Sequence, residues 1–138
     1  MIYEMIAVIK IPKLHVGIDW YSPLFNRKPD LLQDGEFAEW SVAPGCCFRL
    51  AQGQPDSGSG LLRFGVSSLE TELKRLRKEI GIEVDHIQIK TEQSMQTRWC
   101  TLNDPWTNTI GLFEYLNEKH KSQVILSLQN DWNAAGPA

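Results

Sequence analysis

Apolar positions recur in the same order twice along this chain. Tyr3 to Ile11 is apolar, has strand-type residues, and ends at Pro12, which the middle of a sheet would not tolerate. From Leu14 the period changes. Leu14, Ile18, Tyr21 and Phe25 recur at i, i+4, i+7 and i+11, the spacing of one helix face. Pro23 and the run Asn26-Arg27-Lys28-Pro29 are expected to end that helix. Three short strands fit next, over 30–33, 37–42 and 46–51, with turns at Asp34-Gly35 and Pro44-Gly45. Gln52 to Gly60, rich in Gly, Ser, Gln and Pro, is a linker by composition.

After the linker the order starts again. Residues 61–66 predict a strand, and Ser67 with Glu70 predicts a capping box. Leu69, Leu73, Leu76 and Ile80 share one helix face, and Gly81 stops the helix. Residues 82–89 alternate as a strand, followed by 95–102 and 110–113. Subtraction makes the repeat explicit. Ala7, Ile9 and Ile11 fall on Leu62, Phe64 and Val66 at an offset of 55, and the same offset carries Leu14, Ile18, Tyr21 and Phe25 onto Leu69, Leu73, Leu76 and Ile80. The last strands, 48–50 and 110–112, align at 62, so the second copy has the longer hairpin region. This is a duplicated β-α-β-β-β unit: unit one over 3–51, a linker over 52–60, unit two over 61–114, and a C-terminal extension over 115–138, together one domain. In the extension, Lys119, His120 and Lys121 suit a helix C-terminus. Beyond them Val124, Leu126 and Leu128 have strand alternation while Ile125, Leu128 and Trp132 have helix spacing, and both readings stay open.

Composition changes this picture little. The chain has 138 residues, 42% hydrophobic and 22% charged, with net charge −3. Those are the values of an ordinary globular protein with no nucleic-acid surface. The basic run Lys74 to Lys78 alternates with leucines and reads as a solvated helix face. Three cysteines, two of them adjacent (Cys46, Cys47), make no disulfide framework. With no signal peptide and no apolar run of membrane length, a cytoplasmic protein without a membrane partner is expected. No Cys-x-x-Cys or His-x-x-x-His pattern supports a structural zinc site.

The stretch Asn103 to Glu114 adds a specific signal. An Asp-Pro turn stands between the strand candidates 97–102 and 110–113, and Asp and Pro favour a tight reversal there. Duplicated units with an Asp-Pro-x-x-Asn turn before the last strand resemble the glyoxalase / bleomycin-resistance / extradiol-dioxygenase superfamily, the vicinal oxygen chelate proteins. The resemblance covers about residues 3 to 114 and is carried by Trp20-Tyr21-Ser22-Pro23-Leu24-Phe25, Phe37-Ala38-Glu39-Trp40 and Asp104-Pro105-Trp106-Thr107-Asn108-Thr109-Ile110-Gly111-Leu112-Phe113-Glu114. Thr107 stands where the usual turn has glycine, and a β-branched residue resists φ > 0. The resemblance implies an α+β fold in which two tandem β-α-β-β-β units form curved mixed sheets around a central cleft. It is weak for function, because this fold hosts lyases, dioxygenases, epimerases, transferases and binding proteins.

Strand parity then sorts side chains. Ala7, Ile9, Ile11, Leu62, Phe64 and Val66 share the helix-facing register. Ile6, Val8, Lys10, Leu61, Arg63 and Gly65 point to the cleft, as do Cys47, Arg49, Gly111 and Phe113. The resemblance carries the family's four metal-ligand positions onto Ile6, Arg49, Leu61 and Gly111. None can ligate a divalent metal, so no metal and no cofactor are expected. His15, His86 and His120 form no pair with ligand spacing and read as ordinary histidines. Cys47 has no histidine near it in sequence to make it a nucleophile, and Glu114 reads as an exposed strand end. The expected ligand-binding residues are Arg49, Arg63, Phe113, Trp40, Trp99 and Glu39, with no catalytic residue. Glu39 offers Arg49 an internal partner, whereas Arg63 has no sequence-local acid.

Three functions are consistent with these residues. The first is a metal-independent small-molecule binding protein of the bleomycin-resistance type, with an aromatic cleft and the two arginines gripping an acidic or polar group, as a homodimer. The second is a lyase, isomerase or dioxygenase of the superfamily with displaced metal ligands. The third is an interaction module that docks through its tail.

Overall fold

In the strand that opens each unit, alternate positions are shielded against a helix and the positions between them are exposed. The computed structural model describes residues 1–55, 62–84, 87–92, 95–118, 121–122 and 125–126. The chain divides into two units, Met1–Ser59 and Gly60–Ala138.

In unit one the elements are β1 (Met5–Ile11), α1 (Leu14–Phe25), β2 (Leu31–Gln33), β3 (Phe37–Ala43) and β4 (Cys46–Gln52). The sheet order is β1-β4-β3-β2. β1 and β4 are parallel, with Val8 opposite Arg49, and the other pairs are antiparallel, with Glu39 opposite Arg49. Ile9, Ile11, Ala38, Trp40, Phe48 and Leu50 are buried on the helix side. On α1 the buried stripe is Leu14, Gly17, Tyr21 and Leu24, rotated slightly from the expected one, and Ile18 and Phe25 are half-buried. Gly17 lets α1 approach the sheet: a Cβ there would lie 2.0 Å from Ile11 Cδ1. Pro23 does not end α1. The helix runs two residues further and closes at Asn26, whose φ of 56° is left-handed, with Arg27 N–H donating to Ser22 O. Pro23 removes only the hydrogen bond to Asp19 O, and Asp19 is exposed, so water can serve that carbonyl.

Unit two repeats the plan with β5 (Leu62–Gly65), α2 (Leu69–Ile80), β6 (Gln88–Glu92), β7 (Met95–Asn103) and β8 (Thr109–Tyr115), in sheet order β5-β8-β7-β6. β5 and β8 are parallel, with Arg63 opposite Gly111, and β7 and β8 are antiparallel, with Trp99 opposite Phe113 and Thr101 opposite Gly111. The core is Leu69, Leu73, Leu76, Cys100, Leu102, Ile110 and Leu112. Ser68, not Ser67, caps α2. Its hydroxyl accepts from Thr71 N–H at 3.3 Å, and Gly81 closes the helix at φ 65°. β6 begins at Gln88 rather than at residue 82. Its pairing is set by the Glu92–Met95 hairpin and runs back only to Gln88 opposite Trp99.

Of the extension, Tyr115 closes β8, Leu116 and Asn117 are neither helix nor strand, and Glu118, Lys121, Ser122, Ile125 and Leu126 are helical, so Ile125 and Leu126 take the helix reading. Lys119, His120, Val124, Leu128 and Trp132 lie outside the described residues.

The Asp-Pro turn folds around one carboxylate. Asp104 is buried, and its Oδ1 accepts from Trp106 N–H (2.9 Å) and Asn108 N–H (2.8 Å), while Oδ2 accepts from the Asn108 amide (2.7 Å). Asp104 N–H donates to Asn108 O at 3.0 Å and Thr107 N–H to Asp104 O at 3.0 Å. Thr107 adopts φ 66° despite its branched Cβ. The surrounding hydrogen bonds overdetermine the turn and hold the threonine there.

Candidate functional site

The open face of each sheet, the one turned from its helix, carries one arginine. In unit one it is Arg49 on β4. Arg49 Nε donates to Glu39 Oε1 at 2.9 Å, the Nη2 contact to the same oxygen is 2.9 Å, and the guanidinium lies 4.1 Å from the centre of the Phe37 ring. Both partners are largely shielded, with 30% and 14% of their side chains exposed. Arg49 is therefore already compensated by an acid and an aromatic face.

In unit two the arginine is Arg63 on β5. It lies over two rings, 5.3 Å from the centre of Phe113 and 6.0 Å from that of Trp99. Phe113 can lie across β5 because Gly65 opposes it: a Cβ at Gly65 would meet Phe113 Cζ at 3.0 Å. Arg63 is exposed, and among the described residues it makes no ion pair.

Comparing the units by strand register explains the difference. An offset of 62 carries Phe37 onto Trp99, Glu39 onto Thr101, Arg49 onto Gly111 and Ala51 onto Phe113, and the pairings Phe37–Ala51 and Glu39–Arg49 recur as Trp99–Phe113 and Thr101–Gly111. The offset of 55 carries Val8, opposite Arg49, onto Arg63, opposite Gly111. The arginine has moved from the last strand to the first, the aromatic support is kept, and the acid has become threonine. Thr101 was not singled out in the sequence, and Phe37 and Gly65 were named there without a part in ligand binding. Extending the 62-residue offset from the last strands to the strands before them would have found Phe37 and Thr101.

Trp40 is a correction. It was expected among the ligand-binding residues, but its ring is fully buried among Phe25 (5.4 Å) and Phe48 (6.2 Å), and its Nε1 donates to Arg27 O at 3.0 Å. The physical reason is parity: Trp40 follows Glu39, and adjacent strand residues face opposite sides. Glu114 is also not an exposed strand end. It turns to the helix side, where Oε1 accepts from Leu69 N–H (3.2 Å) at the start of α2 and Oε2 from Lys121 Nζ (2.8 Å). Lys121 Nζ also donates to Ser67 O at 3.0 Å, tying the extension to unit two.

Burial pulls the Glu114 pKa up, but the Lys121 ammonium and the Leu69 N–H outweigh it and hold the group below its ordinary value. A depressed carboxylate contributes stability at neutral pH that is lost as pH falls through its folded pKa. Lys121→Met is therefore expected to reduce stability by about 1 kcal/mol at pH 7 and to shrink that difference below the carboxylate range. Urea unfolding at pH 7 and pH 3 checks this. Burial, then the Glu39 charge, raise the Cys47 thiol above its ordinary pKa, so it is a poor nucleophile at neutral pH.

The donor set at the positions implied for a metal does not fit one. Ile6 is hydrocarbon, Arg49 is a paired cation, Gly111 has no side chain, and Leu61 lies outside the described residues. Among the described residues no group of three or more His, Cys, Asp or Glu gathers at one place. His86 and His120 lie outside the described residues. No described helix is long and apolar enough to cross a membrane.

Two four-stranded mixed sheets, each with one helix and one parallel pair, define an α+β protein of duplicated units. The chain has the glyoxalase / bleomycin-resistance fold. It is similar to a glyoxalase / bleomycin resistance protein from Catenulispora acidiphila, with TM-score 0.67 and 19% identity over 81% of this chain and 97% of that one. A glyoxalase/bleomycin resistance protein/dioxygenase from Alicyclobacillus acidocaldarius matches at TM-score 0.64 and 13% identity, over 84% and 93%. A lactoylglutathione lyase from Agrobacterium tumefaciens matches at 0.60 and 15%, over 80% and 91%. No family model matches the sequence, and no curated protein matches it.

Proposed function

We propose that this chain is a metal-independent small-molecule binding protein that holds its ligand on the open face of the unit-two sheet. The observation that carries this reading is Arg63, a cation over two aromatic rings with no internal acid among the described residues. Trp99 and Phe113 supply apolar surface, and Arg63 supplies orientation, the usual division of labour in a ligand site. Arg49 and Glu39 neutralise one another, so their part is to shape the unit-one face rather than to recognise charge. Binding alone needs no general acid, no nucleophile and no Lewis acid, which agrees with the raised Cys47 pKa and the unsuitable donors at Ile6 and Gly111. The three cysteines are free, which suits a reducing cytoplasm. The reading includes a homodimer, for which the exposed Ile6 and Val8, on one face of β1, offer apolar surface.

The test is a thermal-shift screen of aromatic and polar metabolite-like compounds in the presence of EDTA, with metal analysis of the purified protein. Saturable stabilisation by a ligand in a metal-free sample is the expected result. Stoichiometric tightly bound zinc, nickel, manganese or iron, or chelator-sensitive turnover of a glutathione hemithioacetal, would replace this reading with that of a metal-dependent lyase.

A further inference from the structure

The duplicated unit contains its own control, because unit one shows the arginine–aromatic arrangement with its acid in place. There Glu39 accepts from Arg49 at 2.9 Å while Phe37 supports the guanidinium at 4.1 Å. Unit two keeps the support in Trp99 and Phe113 but has Thr101 at the position of Glu39. Between Arg63 and Thr101 lies only Gly111, the register partner of both. Two strand spacings, about 10 Å, separate the backbones that carry them. The strip they flank has no side chain of its own; the Gly111 backbone is buried, and the solvent-facing groups are the exposed Arg63 and Thr101 with an aromatic wall beside them.

We propose that this strip takes a planar aromatic carboxylate, whose carboxylate group stands in for the missing Glu39 counterpart on Arg63 while its ring lies against Phe113 and Trp99. The inference rests on the binding reading above and names the ligand class for the same face. A guanidinium is planar and matches a carboxylate through two parallel N–H donors. The Thr101 hydroxyl, on the far side of Gly111, can donate to an oxygen that Arg63 does not reach. The charge matches a monoanion, since Arg63 is one cation and Thr101 is neutral. The flanking rings favour an apolar body over inorganic phosphate.

Isothermal titration of the full chain with naphthalene-2-carboxylate, the neutral naphthalene-2-carboxamide, 2-naphthylmethylammonium and inorganic phosphate tests this. The carboxylate is expected to bind at least about tenfold more tightly than the amide, a charge-assisted bond's worth of affinity, and the ammonium and phosphate more weakly still. Arg63→Gln is expected to remove that preference. Thr101→Glu, which supplies an internal acid as in unit one, is expected to weaken carboxylate binding at least about tenfold without lowering the unfolding midpoint.

Equal affinity for carboxylate and amide, preference for the ammonium or phosphate, or full carboxylate binding by Thr101→Glu would overturn the ligand class while leaving a binding protein. Failure of every probe and of the wider screen would overturn both. Circular dichroism of each variant, compared with wild type, keeps loss of binding distinct from loss of fold.

Discussion

Asp104→Ala should destabilise the protein by about 3 kcal/mol, because it leaves buried donors without their acceptor. Three N–H groups converge on that carboxylate: the main-chain groups of Trp106 and Asn108 and the Asn108 side-chain amide, all within 2.7–2.9 Å. Asp104 and Asn108 are both buried, so water cannot replace the lost bonds at full strength. Asp104→Asn should cost less, since one side-chain oxygen remains, but its NH2 would face the Asn108 amide. The same turn offers a stabilising change. Thr107→Gly relieves the left-handed strain at φ 66° and should raise stability by about 0.5 kcal/mol, the strain relief less the added chain entropy. Urea unfolding of the three variants orders them: glycine variant above wild type, asparagine variant below it, alanine variant lowest. An Asp104→Ala midpoint equal to wild type would mean the carboxylate does not organise the turn.

Trp40→Ala carries a comparable cost, about 3–5 kcal/mol, from the volume lost in a close-packed core. Phe25 and Phe48 flank that position, and Phe48 is in turn stacked by Tyr21 at 5.0 Å and met by Phe25 at 5.2 Å. Trp40→Phe keeps most of the ring but leaves Arg27 O without its indole donor, at about 1 kcal/mol. Trp40 is buried on the helix side of the unit-one sheet, and the proposed ligand face is built from Arg63, Trp99 and Phe113 of unit two. Trp40→Phe should therefore lower the unfolding midpoint and leave the affinity for naphthalene-2-carboxylate unchanged. A loss of affinity in a folded Trp40→Phe protein would return the residue to the ligand site from which its burial removes it.

The order of elements was legible in the sequence because an apolar strand run is followed each time by a period-3.6 stripe, over α1 and over α2. The 55-residue offset placed Leu69, Leu73 and Leu76 on the buried face of α2. Boundaries slipped where propensity and pairing compete. Pro23 reads as a terminator but stands in the last turn of α1, where one lost bond is tolerated. The capping role passed from Ser67 to Ser68, since both are serines and only the backbone conformation selects between them.

The site was harder to read for a different reason. Aromatic residues favour both cores and ligand faces, and only register separates Trp40 from Trp99. Arg49 and Arg63 look equivalent as isolated residues. Glu39 was legible as a partner of Arg49 because the two strands are neighbours in sequence, whereas Thr101 stands two strands from Arg63 and is found only through the register. Glu114 likewise looked like a strand end until Lys121, seven residues on, folded back to it.

The most direct measurement of the central claim is a calorimetric titration of naphthalene-2-carboxylate into wild type and Arg63→Gln. Each protein is dialysed against EDTA and then repeated with added zinc. The account predicts saturable binding to wild type with the same affinity in both conditions, and at least about tenfold weaker binding to Arg63→Gln. Binding that appears only with zinc, or that is equal in wild type and Arg63→Gln, would contradict it.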